Sequence, residues 1–198
     1  HPYRRLPEAP DYAQDLAGVD AVLRKFGKEG IEKIASEVGW IYTSVLPGNR
    51  ISDLERHADA VNLRLQITGY ANGLSKYMHF SAGLHPVGAS WQTFLLGNPG
   101  NGFRCIPNTW MFAERALVDR IGGARPLAPV RLAPALRCYL FERDGKRTAA
   151  LWRCDEETNA ASLLVDLGPG TFKVWNITGH PLPPARDGAR TRLELSDS

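Results

Sequence analysis

Cysteine is scarce in this sequence, and the three residues present are Cys105, Cys138 and Cys154. An odd number cannot all pair within one chain, and none of them belongs to a C-x-x-C motif, so neither a disulfide framework nor a redox motif is indicated. The five histidines form no H-E-x-x-H motif and share no spacing with the cysteines. We therefore expect neither a metal nor any other cofactor.

One pairing of cysteines can be tested against a predicted hairpin. Asp144-Gly145 is a typical two-residue hairpin turn, and with this turn Cys138 lies opposite Leu151 rather than Cys154. The register argues against a disulfide between Cys138 and Cys154, and we interpret the cysteines as small packing residues.

An excess of one charge is also lacking, because 24 basic residues face 21 acidic ones and the net charge is +3. Without runs of like charge or aromatic-basic interleaving, neither nucleic acid nor a membrane surface is a predicted partner. No apolar stretch approaches the roughly 18 residues of a membrane span, and no basic-led hydrophobic leader is visible. A hydrophobic content of 43% is typical of a globular core, and the cellular compartment is not indicated.

The pattern of the chain changes near residue 125, at a Gly/Pro-rich joint spanning residues 122–129. Before the joint, periodic helical segments alternate with short apolar runs, which predicts βα units with a parallel sheet. After it, short runs separated by turn signals predict a small antiparallel β-sandwich. We therefore predict an α/β part over residues 1–125 and an all-β part over residues 126–198. The predicted helices cover residues 11–26, 52–71 and 107–121; the predicted strands cover 31–37, 76–81, 137–143, 147–154, 162–167, 172–178 and 190–196.

The sharpest local signal is Ser36-Glu37-Val38-Gly39-Trp40. A carboxylate at the carboxyl end of a parallel strand lies where α/β folds gather their active sites, and the indole offers a flat face for a sugar. The pentapeptide by itself is equally compatible with an exposed Glu37 at a strand end and a buried Trp40.

The longer segment Ile34-Ala35-Ser36-Glu37-Val38-Gly39-Trp40 resembles the seventh strand of the retaining glycoside hydrolases with cellulase-like and β-glycosidase-like (β/α)8 barrels. His1-Pro2-Tyr3 is similar to the His-x-Tyr that often ends the sixth strand of these enzymes. The resemblance implies an incomplete (β/α)8 barrel, consisting of its last two to three βα units, followed by the β-sandwich. It also implies that the N-terminal half of the barrel precedes His1 and is a necessary partner.

The same resemblance implies roles for individual residues in the hydrolysis of a carbohydrate substrate. Glu37 would be the nucleophile that forms a covalent glycosyl-enzyme. Tyr3 would hydrogen-bond that carboxylate, while His1 and Trp40 would line the sugar-binding subsite. The general acid/base comes from the fourth strand in this clan, so this chain would hold half of a catalytic pair and be inactive alone.

The sequence departs from the pattern of the clan near the end of the predicted eighth strand. His79 stands near the place of the Trp that usually floors the sugar-binding subsite, and it would then bind the sugar through polar contacts; alternatively it is a hydrogen-bonded core residue. Trp91, in the long loop after that strand, would supply an aromatic wall or simply anchor the loop.

A rival hypothesis is a non-catalytic module whose β-sandwich binds carbohydrate or a protein. It would require an exposed face formed by the aromatic residues of the strands, which are Tyr139, Phe141, Trp152, Phe172 and Trp175. An unrelated α/β hydrolase ranks last because the sequence lacks a G-x-S-x-G motif. The sequon Asn176-Ile177-Thr178 is expected within a strand, and the sequence names neither the sugar nor the linkage.

Overall fold

The computed structural model describes residue 8 and residues 12–38, 51–79, 84–86, 95–97, 106–107, 109–130, 132, 136–154, 162–188 and 190–196. Its helices are α1 (Tyr12–Lys25), α2 (Ile51–Ala71) and α3 (Thr109–Ile121). The strands of the first part are β1 (Lys33–Val38), β2 (Leu74–His79), β3 (Leu84–Pro86), β4 (Leu95–Gly97) and β5 (Ile106–Pro107). The later strands are β6 (Arg125–Pro126), β7 (Leu136–Arg143), β8 (Lys146–Arg153), β9 (Ser162–Pro169), β10 (Val174–Trp175), β11 (Pro181–Leu182), β12 (Ala185–Asp187) and β13 (Arg190–Ser196). No helix in the described part is long and apolar enough to cross a bilayer.

The three predicted helices are present, with small shifts at their ends. α3 begins at Thr109 instead of near residue 107, because Pro107 pairs with Leu95 in the small sheet formed by β3, β4 and β5. Its buried residues follow one another at steps of three and four, as expected for one face of a helix.

β1 and β2 form a parallel two-stranded sheet, as the alternation of helices and strands predicts. Both strands differ in position from the predicted ranges. α2 ends in a turn that includes Gly73 at φ +85°, so β2 begins directly after it at Leu74, whose side chain is buried. The ladder places Val38 opposite His79 and is irregular between Ala35 and Val38.

The first core lies between this sheet and the helices α1 and α2. Its buried members are Tyr12, Leu16, Ala35, Val38, Val61, Leu65 and Leu74. Lys33 reinforces the same region, since its ammonium contacts Asp20 of α1 at 2.6 Å and donates to the carbonyl of Asn72 at 3.1 Å. These contacts join α1 and the turn after α2 to the first residue of β1.

A second core lies on another face of α2 and packs this helix and α3 against β7. Its buried members are Leu63, Ile67, Trp110, Ala113, Leu117, Ile121 and Phe141. The part of α2 from Asp59 to Gly69 is therefore largely buried, and it connects the parallel sheet with the antiparallel strands that follow residue 125.

β7 and β8 form the predicted hairpin around Asp144-Gly145. Both turn residues have positive φ, 53° and 70°, as a type I′ turn requires. The register sets Cys138 opposite Leu151, which confirms the predicted pairing. Burial raises the pKa of the Cys138 thiol.

The strand predicted over residues 172–178 is wrong in extent, because only Val174 and Trp175 pair, with Leu182 and Pro181. The chain turns after Trp175, where the side-chain oxygen of Asn176 accepts hydrogen bonds from backbone amides further along the turn. The sequon therefore lies in this turn and not in a strand.

The observed architecture is mixed α/β with small sheets. The incomplete barrel, the sandwich and the division at residue 125 remain predictions. The parallel strands β1 and β2 end side by side, and this edge of the sheet is where a site can form.

Candidate functional site

Glu37 lies near the carboxyl end of β1, one residue before the fully buried Val38. Its side chain is half-buried. His79 is the last residue of β2, and Val38 is its partner in the ladder. Because parallel strands carry their functional residues at this edge, the fold brings Glu37 and His79 to one end of the same sheet.

His79 contacts a residue that the sequence did not point to. Its ring lies against the indole of Trp110, with centroids 4.9 Å apart and planes tilted by 39°. Trp110 is fully buried in the first turn of α3. Tyr77, two residues earlier on the same face of β2, packs against the first core, so His79 faces the helix layer.

A row of buried polar residues on α2 faces α3. Asp59, Asn62 and Gln66 are each 1% exposed, and their spacing of three and four residues puts them on one stripe of the helix. We call this row, with its partners on α3, the polar seam. The signal in the sequence is the interruption of an apolar helix pattern by polar residues at helical spacing.

Two contacts join the polar seam to α3. The hydroxyl of Thr109 donates to the Asp59 carboxylate, and the amide of Gln66 donates to Glu114 at 2.6 Å. Burial raises the pKa of Glu114, although the hydrogen bond from Gln66 opposes this effect. Burial also raises the pKa of Tyr70, and the negative charge of Glu114 adds to that shift.

Several predicted site residues lie outside the described part of the chain, so their positions stay predictions. They are His1, Tyr3, Trp40 and Trp91. The glycine-rich segment 97–102, which the sequence predicts as a loop, also lies outside it except for Gly97, the last residue of β4.

Glu32 and Glu142, two other carboxylates in the described part, have structural contacts. Glu32 accepts from the hydroxyl of Ser75 at 2.8 Å, and this bond together with the Lys76 ammonium holds the pKa of Glu32 below its ordinary value. Glu142 pairs with Arg125 at 2.5 Å. Among the described residues, no three or more His, Cys, Asp or Glu side chains cluster in a way that could hold a metal.

The aromatic residues of the predicted sandwich fall into two groups. Phe141 is buried in the second core, and Tyr139 and Trp152 pack against that core with their rings 5.5 Å apart. Phe172 and Trp175 instead line an open, mainly apolar recess of about 250 Å³. The first group is an interface with the helices, and the second remains accessible.

The sequence matches no protein-family model and no curated protein. A solved structure with the same arrangement is a family 39 glycoside hydrolase from the gut symbiont Bacteroides cellulosilyticus WH2, with a TM-score of 0.65 and 15% identity. This chain shares its fold with part of a glycoside hydrolase. The similarity covers 91% of this chain and 36% of that one, so the chain spans about a third of the length of its structural neighbour. The relationship to glycoside hydrolases stands at the level of the fold.

Proposed function

We propose that this chain supplies the nucleophile of a retaining glycoside hydrolase and that Glu37 is that nucleophile. The observation that carries the proposal is the position of a half-buried Glu37 at the carboxyl edge of a parallel sheet, in a chain that shares its fold with part of a glycoside hydrolase. In α/β folds this edge is where substrates bind.

The chemistry assigned to Glu37 is a double displacement on a carbohydrate. A carboxylate oxygen forms a bond to the anomeric carbon while the bond from that carbon to the leaving oxygen breaks, and a general acid protonates the leaving oxygen. Water then hydrolyses the glycosyl-enzyme, assisted by the same acid/base group. The two carboxyl groups of a retaining pair lie about 5–5.5 Å apart.

The second carboxylate is proposed to come from a partner. Glu114 and Glu142 are engaged with Gln66 and Arg125. A polypeptide that adds the remaining strands of the barrel would supply the acid/base, and this chain without it would be inactive.

The surface of the parallel sheet supports such a partner. Parallel sheets are ordinarily covered on both faces, yet Ile34 is 44% exposed and Met78 is 48% exposed on the face opposite the helices. Val19 and Val22 of α1 and Phe26, directly after this helix, are exposed as well. We assign these surfaces to contact with the remaining strand–helix units. A second copy of this chain would contribute only another β1 and β2, far short of the eight strands of a closed barrel.

The test is covalent trapping of the chain together with those strand–helix units. A 2-fluoro glycosyl inhibitor followed by peptide mapping is expected to put the label on Glu37, and Glu37→Gln is expected to abolish labelling. Glu32→Gln is the matched control, because Glu32 precedes β1 at its opposite end and should leave labelling intact. A label on another carboxylate, or persistent labelling of Glu37→Gln, would refute the assignment.

A binding module without catalysis is the second candidate, and the recess beside Phe172 and Trp175 favours it. The guanidinium of Arg120 lies 4.0 Å from the centre of the Trp175 ring and holds the indole in place at the recess. If no glycoside labels the assembled protein but oligosaccharides bind and Trp175→Ala removes binding, this second function replaces the first.

A further inference from the structure

The first turn of α3 depends on a residue from another helix. Thr109 is the first residue of α3, and the first turn of this helix contains no acidic side chain of its own. Asp59 of α2, 50 positions earlier in the chain, accepts the hydrogen bond from the Thr109 hydroxyl while it is 1% exposed. A carboxylate near a helix N-terminus stabilises the unpaired amides of the first turn. Asp59 therefore anchors the beginning of α3 to α2.

This anchor is continuous with the candidate site. Trp110 follows Thr109 directly, and its indole contacts the ring of His79, with ring centroids 4.9 Å apart. His79 in turn is the ladder partner of Val38, the residue after Glu37. A displacement of the first turn of α3 would move the indole, and the strand end beside Glu37 would lose its support.

Apolar contacts alone would hold α3 less precisely. The second core joins the helices through residues such as Leu63, Ile67 and Leu117, and hydrophobic attraction is non-directional. Displacement of α3 along α2 would separate Asp59 from Thr109, and a buried polar group that loses its partner is destabilising. The Gln66–Glu114 contact acts in the same way two turns further along α2. The Asp59 contact is the one that adjoins Trp110.

We infer that Asp59 is a positioning residue for the edge of the sheet that carries Glu37, acting through Thr109, Trp110 and His79. The effect of Asp59 on catalysis rests on the proposed function of Glu37 as the nucleophile. The physical connection between Asp59 and the His79 ring can be measured in this chain without any activity.

The experiment uses the ring resonances of His79 in the NMR spectrum of the chain, assigned with His79→Gln. In the wild type these resonances should carry the ring-current shift of the adjacent indole, and the exposed His180 serves as an internal reference. Thr109→Val keeps the shape of the side chain but removes the hydroxyl, so it should move the His79 signals toward those of His180. Thr109→Ser restores a hydroxyl and should return them toward the wild-type positions.

The control is Glu114→Gln, which changes the other contact of the polar seam and should leave the His79 signals in place. Unchanged His79 signals in Thr109→Val, or equal movement in Glu114→Gln, would overturn the inference. Asp59→Ala should move the His79 signals as Thr109→Val does. In the assembled enzyme it should also slow labelling of Glu37 by about ten- to a hundredfold, as expected for misplacement of a reacting group. Movement of His79 without any labelling of Glu37 would refute the proposed function and leave the positioning role intact.

Discussion

Removal of the Glu8 side chain should reveal how strongly this residue ties α2 to the antiparallel strands. Glu8 accepts a hydrogen bond from the indole nitrogen of Trp152 at 2.6 Å, across 144 positions of sequence. Its other carboxylate oxygen lies 3.5 Å from the guanidinium of Arg64 on α2. The Glu8 and Arg64 side chains are 11% and 16% exposed, so water replaces these contacts poorly.

The expected magnitude follows from the groups that Glu8→Ala leaves behind. A buried indole N–H without a partner costs about 1–3 kcal/mol, and breaking a fully buried ion pair costs about 3–5 kcal/mol. Residual exposure reduces the second cost, and Arg64 keeps its 3.5 Å hydrogen bond to the carbonyl of Arg153. We therefore expect the free energy of unfolding to fall by about 2–3 kcal/mol, which for a chain of this size corresponds to a melting temperature lower by roughly 5–10 °C.

Thermal unfolding followed by circular dichroism measures this change. Glu29→Ala is the control, because Glu29 is exposed and a substitution there should alter the free energy of unfolding by no more than about 0.5 kcal/mol. A double-mutant cycle with Trp152→Phe separates the indole contact from that of Arg64. Equal melting temperatures for Glu8→Ala and Glu29→Ala would refute the reasoning.

Two further predictions concern the open sheet face and the polar seam. Ile34→Lys should barely change the stability of the chain alone but should prevent its assembly with the remaining barrel strands, because the ammonium would be buried there. Assembly is measured by size-exclusion chromatography with light scattering, and Ile177→Lys is the control because Ile177 is also 44% exposed. Equal assembly of both variants would contradict the proposed partner surface. Burial raises the pKa of folded Glu114 above the ordinary 4.5, so its contribution to stability is fully present below about pH 4.5 and is lost as the pH rises through the raised pKa. Urea unfolding from pH 4 to 8 should show this loss in the wild type and not in Glu114→Gln, and parallel pH profiles would disprove it.

Local patterns in the sequence predicted those elements whose determinants lie close together in the chain. The Asp144-Gly145 turn predicted the pairing of Cys138 with Leu151, since a two-residue turn sets the register of its hairpin by itself. Helical periodicity predicted the three helices, and their alternation with apolar runs predicted a parallel sheet. The position of Glu37 near a strand end followed from the same local reading.

Local sequence patterns did not predict the exact ends of the strands or the contacts between segments that are distant in the chain. The strand predicted over residues 172–178 pairs only at Val174 and Trp175, because the side chain of Asn176 caps a turn that propensity does not anticipate. The start of β2 at Leu74 likewise depends on where α2 ends. His79 could be interpreted from sequence as a sugar ligand or a core residue, and only the tertiary structure sets its ring against Trp110.

The sequence by itself determined the types of the main helices and of the hairpin, and it singled out Glu37, because periodicity, turn chemistry and short motifs act over a few residues. Only the tertiary structure decided that Asp59 meets Thr109 and that Glu8 meets Trp152. These pairs are 50 and 144 positions apart, and they form because packing of α2 against its neighbours leaves buried polar groups that require partners.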